Sequence, residues 1–175
     1  MINYKECQEV LQNAQYNKIE STDMNSKPVI VGIGELLWDM LPSGKKAGGA
    51  PVNFVYHASL LGAESYAISA IGKDPLGDEI LEELDKIKLN YLIERVDYPT
   101  GTVLVQLKDG IPNYTIIEEV AWDYIPATEE MKQLARRTDA ICFGTLAQRS
   151  EVSRNTIHEI LSLVPQDAYR ILDIN

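Results

Sequence analysis

The sequence predicts an α/β domain on a mostly parallel sheet with a small antiparallel β flap projecting from it. Three observations carry that expectation. From Pro28 onward, short apolar runs alternate with amphipathic helical stretches, the pattern of a parallel sheet covered by helices. Val29 to Ile33 is apolar at nearly every position, as a strand covered on both faces has to be. Around residues 91 to 119 the alternation breaks into three β-prone segments with no helix between them.

Residues 1 to 27 are rich in Asn, Gln, Glu, Lys and Ser, with Tyr4, Cys7, Val10, Leu11 and Ala14 at roughly helical spacing and Pro28 closing the stretch. They are expected to form a polar leader, a short helix and linker that is loosely attached; the other reading is a partner-docking helix. After the first strand, Glu35 to Met40 continues or reverses it. A loop with Gly44, Gly48 and Gly49 leads to a helix in which Pro51 suits the first turn and Gly62 the carboxyl cap. Glu64 to Ile71 is the second strand. Asp78 to Lys88 is a helix with Ile80, Leu81, Leu84 and Ile87 on one face and an acid-to-base polarity matching its dipole.

Tyr91 to Val96, Thr102 to Leu107 and Tyr114 to Glu119 then read as an antiparallel flap, with Asp109-Gly110 and Pro112-Asn113 supplying turn chemistry between the last two. Glu129 to Arg137 resumes as helix, followed by strand Ala140 to Phe143, helix Glu151 to Leu163 and strand Tyr169 to Ile174. Ligands of open α/β sheets bind outside the carboxyl ends of the strands. The last strand is followed only by Asn175, so the sequence is expected to be part of a larger protein; the alternative is an edge strand that ends the fold.

With 45% hydrophobic and 24% charged residues, the chain is too apolar for a disordered one, and 175 residues suffice for a sizeable core. A net charge of −10 argues against nucleic acid and anionic membrane as partners, because attraction to phosphate needs the opposite sign. Cys7 and Cys142 make no disulfide framework and match no metal spacing, which points to a reducing cytoplasm, with Cys142 packed in an apolar run. No stretch resembles a signal peptide or approaches the ~20 apolar residues of a membrane span.

Gly32-Ile33-Gly34-Glu35 looks like the start of a dinucleotide fingerprint, but the third glycine is missing; two glycines permitting a tight strand exit is an equal reading. Glu35-Leu36-Leu37-Trp38-Asp39 followed by Gly48-Gly49-Ala50-Pro51-Val52-Asn53 is more specific. A carboxylate such as Asp39 accepts from two adjacent hydroxyls, a glycine pair admits a ligand to the backbone, and Asn53 offers both donor and acceptor. Those are the needs of a polyol or sugar pocket. The commoner roles of such residues are a solvated loop acid for Asp39 and a helix cap for Asn53. Lys45 and Lys46, beside the glycine loop, are expected to be solvated rather than to touch phosphate.

Together with Ile71-Gly72-Lys73-Asp74-Pro75-Leu76-Gly77-Asp78, these motifs closely resemble the PfkB, ribokinase-like carbohydrate kinases. Thr100-Gly101-Thr102, Phe143-Gly144-Thr145-Leu146-Ala147-Gln148-Arg149 and Asp173-Ile174-Asn175 are similar to the fructokinase branch. The resemblance runs from about Pro28 to Asn175. It implies a doubly wound domain over 28–175 with lid strands around 91–119, which phosphorylates a sugar hydroxyl, of fructose or a related sugar, using ATP and Mg2+. By resemblance, Asp39, Gly49 and Asn53 hold sugar hydroxyls and Gly48 lets the loop pack close. Gly72 and Asp74 shape the surrounding loop, and Asn175 faces the phosphate end. Gln148 and Arg149 lie near the site, a flanking surface charge being the equal reading for Arg149. The lid closes over the sugar, excluding the water that would hydrolyse ATP, and pairs with a second subunit as a homodimer.

In that family the general base and the anion hole belong to a Gly-Ala-Gly-Asp-type motif of the second half. This sequence has none. No catalytic residue and no metal ligand is therefore assigned, and the chain alone is expected to be inactive and to lack productive binding of ATP and Mg2+. The alternative is a non-catalytic sugar-binding or dimerisation module derived from such a kinase. A nicotinamide-binding domain is disfavoured by the missing third glycine and by the flap.

Overall fold

The computed structural model describes residues 8–14, 26–108 and 111–174. Cys7, the Asp109-Gly110 turn and Asn175 lie outside the described residues. Residues 8–14 are helical (α1). The remaining elements, in order, are β1 Val29–Ile33, β2 Leu37–Leu41, β3 Gly44–Gly48, α2 Ala50–Leu60, β4 Glu64–Gly72, α3 Pro75–Lys86, β5 Asn90–Val96, β6 Gly101–Lys108, β7 Ile111–Ile116, α4 Glu129–Ala135, β8 Ala140–Gly144, α5 Glu151–Leu163 and β9 Tyr169–Asp173. Short 3-10 turns cover Ala121–Tyr124 and Leu146–Arg149.

Among the described residues, nine strands form two sheets. The main sheet has the order β5-β4-β1-β8-β9, and every neighbouring pair in it is parallel. Its two faces follow from the period-2 alternation of β1. Val29, Val31 and Ile33 join Met131, Leu134, Ile157 and Ile160 of α4 and α5. Ile30 joins Val52, Phe54, Val55 and Ala58 of α2 with Ile80 and Leu84 of α3. Helix α2 approaches so closely that a Cβ on Gly32 would collide with the carbonyl of Pro51. Cys142 is buried on the α2 face, as its apolar run implies.

The second sheet has the order β3-β2-β6-β7 and forms the lid. It differs from the expected flap in three ways. Glycine- and lysine-rich Gly44–Gly48 is not a loop but a strand, antiparallel to β2. β2 runs parallel to β6, so the lid is mixed rather than antiparallel throughout. Asn90–Val96, expected in the lid, is instead the edge strand of the main sheet, parallel to β4 over seven residue pairs. The reason is the crossover: α3 stands between β4 and β5, and a strand-helix-strand unit returns its second strand parallel to the first.

A further difference lies at the amino end. Leu11 and Ala14 of α1 are buried, and Leu11 belongs to the same apolar cluster as Phe54 and Ile80. The described part of the expected loose leader is therefore docked onto the α2–α3 face. Helix α3 starts at Pro75, ahead of the expected Asp78, because Asp74 caps it: its Oδ1 accepts the Gly77 amide at 2.9 Å.

Candidate functional site

β1 leaves the main sheet at Gly34, and the chain crosses through Glu35 and Leu36 into lid strand β2. Asp39 lies mid-strand in β2, registered with Lys46 of β3 and Val103 of β6, so all three side chains share one lid face. Burial raises the Asp39 carboxyl above its ordinary range, and the Lys46 charge opposes that rise. The hairpin brings β3 back to the same point. A Cβ on Gly48 would stand 2.8 Å from Asp39 Oδ2, so only glycine leaves that oxygen accessible along the strand.

Gly49 follows with φ of +123° and serves as the N-cap residue of α2. A Cβ there would collide with the carbonyl oxygen of Glu35. Pro51 occupies the first turn, and the amide of Asn53 donates to the Gly49 carbonyl at 2.9 Å, leaving the exposed Asn53 side chain at the mouth of the helix. The structure thus places Gly48, Gly49 and Asn53 along one passage from lid to helix, with Asp39 on the neighbouring strand beside Gly48. Lys45 pairs with Glu79 and lies 4.8 Å from the centre of the Trp38 ring.

The junctions before β6 and after β7, where the chain enters the lid a second time and returns from it, are both pinned. At the first, Asp74 accepts the Thr100 amide at 2.8 Å and the Thr100 hydroxyl at 2.7 Å, and that hydroxyl accepts the Gly72 amide at 3.0 Å. Burial pushes the Asp74 carboxyl up, but the donors from Thr100, Gly77 and Leu76 outweigh it and hold it below its ordinary value. At the second, Arg149 donates from Nε and Nη2 to the two Asp123 oxygens, each at 2.8 Å, and from Nη2 to the Ile117 carbonyl at 2.7 Å. Its guanidinium lies 4.0 Å from the centre of the Trp122 ring. Arg149 is therefore engaged as a clamp on the lid's return segment. Gln148 bonds the Gly144 carbonyl at 2.9 Å.

Sequence reading gave no role to the Asp123–Arg149 clamp or to Glu35. Glu35 is 4% exposed, and its Oε1 accepts the Ala50 amide at 3.1 Å. Burial pushes its carboxyl up to about 7, its own and the Ala50 amides oppose the rise, Asp173 adds to it and Arg149 opposes it. The usable signal was a lone acid between Ile33 and Leu36 at the end of an otherwise apolar strand.

The sequence profile of the pfkB family carbohydrate kinases matches residues 43–164. The chain belongs to the pfkB family. An uncharacterized sugar kinase of Pyrococcus horikoshii, PH1459, is 28% identical over 160 residues, 84% of this chain and 52% of that protein. Its crystal structure superposes with a TM-score of 0.75 over 84% of this chain and 53% of its own, and it is also known in complex with ATP. The ATP-dependent 6-phosphofructokinase of Thermoanaerobacterium thermosaccharolyticum is 29% identical, over 75% of this chain and 44% of its own length. A fructokinase of Salmonella typhimurium is 28% identical, over 76% and 45%. The chain spans about half the length of these curated pfkB relatives. The ribokinase-like fold, with a parallel main sheet and a small lid, is shared with the PH1459 structure.

Among the described residues no group of three His, Cys, Asp or Glu converges as a metal would need, and no helix is long and apolar enough to cross a membrane. Buried carboxyls, Glu35 and Asp173, stand at the carboxyl end of the main sheet, and the nearby guanidinium of Arg149 is taken by Asp123. That donor set does not fit a nucleotide's phosphates.

Proposed function

We propose that this pfkB chain supplies the sugar-binding and lid-bearing part of a fructokinase-like kinase, which transfers the γ-phosphoryl group of ATP to a hydroxyl of fructose or a related sugar. The observation that carries this reading is Asp39: a half-buried carboxylate on the lid whose proton affinity is raised by burial and whose Oδ2 is bordered by Gly48, the first of the glycine pair that leads into α2. Vicinal hydroxyls suit such a carboxylate, because each donates to one oxygen. Asp39, Gly49 and Asn53 hold the sugar, with Gly48 giving access. Arg149 acts from beneath the lid, and Asn175, by resemblance, on the phosphate side. The whole protein uses ATP and Mg2+ in the cytoplasm; the 175-residue chain binds sugar without turning ATP over, since its sequence holds no Gly-Ala-Gly-Asp-type motif.

Titrating the 15N-labelled chain with fructose tests this. The amides of Gly48, Gly49 and Asn53 are expected to shift in a saturable way, while those of α5 stay still. Saturable shifts confined to other residues would move the site, and ATP hydrolysis above a buffer blank in the presence of fructose and Mg2+ would contradict the division of labour.

A second reading, a dimerisation module, is favoured by the lid surface. Leu41, Tyr114 and Ile116 are exposed on the lid face that carries Asp39, and a partner subunit's lid would cover them. Sedimentation of the chain with and without Tyr114→Asp and Ile116→Asp separates the cases: a dimer that dissociates in the variants supports pairing through the lid.

A further inference from the structure

Glu35 combines features that the sugar-site reading does not use. It sits where β1 gives way to the lid crossover, with its side chain turned inward rather than to solvent. A buried carboxyl is costly unless both oxygens work. One does: Oε1 accepts the Ala50 amide. Oε2 is buried with no hydrogen-bond partner among the described residues. It points at the carboxyl end of β8, where a Cβ on Gly144 would stand 3.7 Å from it. The charged groups that face this carboxyl are Asp173 on β9 and Arg149 in the turn after β8.

The Ala50 amide is the first of helix α2, and such amides have no partner inside the helix. Gly49, in the N-cap position, has no side chain to cap it, and Pro51 has no amide to offer. The Asn53 amide already donates to the Gly49 carbonyl. A side chain fifteen positions earlier therefore supplies the cap that Gly49 lacks. The same residue's carbonyl oxygen occupies the space a Cβ on Gly49 would need. Backbone and side chain of Glu35 together fix where the glycine pair stands.

We propose that Glu35 is the positioning residue of the glycine-pair loop, holding Gly49 and the first turn of α2 in place beside the lid strand that carries Asp39. It acts through Ala50 and not by touching sugar. The proposal rests on the sugar reading for its consequence, but the positioning itself is measurable without any ligand.

The test uses the 175-residue chain with Glu35→Gln, Glu35→Leu and Glu35→Ala. Gln keeps an oxygen for the Ala50 amide; Leu keeps the bulk without an acceptor. Amide hydrogen exchange is read by NMR at Ala50 and, as an internal control, at Val55 and Ala58, with fructose affinity measured by calorimetry. Expected is at least tenfold faster exchange at Ala50 in Leu and Ala, unchanged rates at Val55 and Ala58, and near-wild-type exchange in Gln. Fructose binding weakens at least tenfold in Leu and Ala and returns in Gln. If Ala fails to fold, the contrast between Leu and Gln decides alone. Exchange at Ala50 within twofold of wild type in Leu, or equal losses in Leu and Gln, would overturn the proposal. A wild-type chain that ignores fructose would sink the sugar reading and leave the exchange result to decide Glu35.

Discussion

Asp74 and Thr100 stand 26 residues apart and are joined by two hydrogen bonds, from the Thr100 amide at 2.8 Å and the Thr100 hydroxyl at 2.7 Å. Because Asp74 also caps α3 through the Gly77 amide, one carboxylate ties the main sheet, its crossover helix and the start of the lid together. Asp74→Ala removes a cap and charge-assisted hydrogen bonds and is expected to cost about 2 to 3 kcal/mol in urea denaturation. Asp74→Asn, which keeps an acceptor, costs less than half of that. Equal losses in the two variants would show that the hydrogen bonds are not what matters.

The clamp on the other side of the lid behaves differently, because Asp123 is almost wholly buried while Arg149 is partly exposed. Arg149→Lys keeps the charge but loses the fork geometry, the Ile117 contact and the stacking on Trp122. It is expected to destabilise the chain by about 2 to 3 kcal/mol. In a double-mutant cycle with Asp123→Asn, the combined loss is smaller than the sum of the single losses. Additive losses would mean that the two side chains do not interact.

Glu35 gives the stability a pH dependence of defined sign. Its carboxyl titrates near 4.5 when unfolded and at about 7 when folded. Between those values the folded chain holds the extra proton, so this contribution is complete below pH 4.5 and lost as pH rises through 7, by up to about 3 kcal/mol. Thermal melts of the wild type and Glu35→Gln between pH 5 and 8 read it directly. The wild type loses more Tm across this range than the variant, and parallel profiles would assign the titration elsewhere.

Leu11 separates the docked helix from a loose leader. It packs with Phe54 and Ile80, so Leu11→Ala is expected to cost about 2 to 3 kcal/mol in urea denaturation. A change within 0.5 kcal/mol, the range of ordinary surface substitutions, would return the segment to the leader expected from its composition.

Much of the frame was legible because burial on both faces writes itself into sequence. β1 spans Val29–Ile33 and α5 spans Glu151–Leu163, both with the limits read from the apolar pattern. β3 was illegible for the opposite reason: its Gly44, Lys45 and Lys46 are exposed, and it exists through pairing with β2. β5 was misplaced because its partly buried edge pattern resembles a lid strand, although the preceding helix dictates a parallel return. Asp39, Gly48, Gly49 and Asn53, the proposed sugar residues, are grouped by residue type and order alone. The Lys46 charge beside Asp39, the Ala50 cap from Glu35 and the Asp123–Arg149 clamp depend on strand register and long-range contact, which no local pattern encodes.

Whether Asp39 anchors a sugar is decided by isothermal calorimetry of fructose with the wild-type chain and Asp39→Ala. Saturable, one-site binding to the wild type is expected, with at least tenfold weaker binding to Asp39→Ala at an unchanged Tm. Equal affinity in the two proteins, or no heat of binding to the wild type at millimolar fructose, would contradict that role of Asp39.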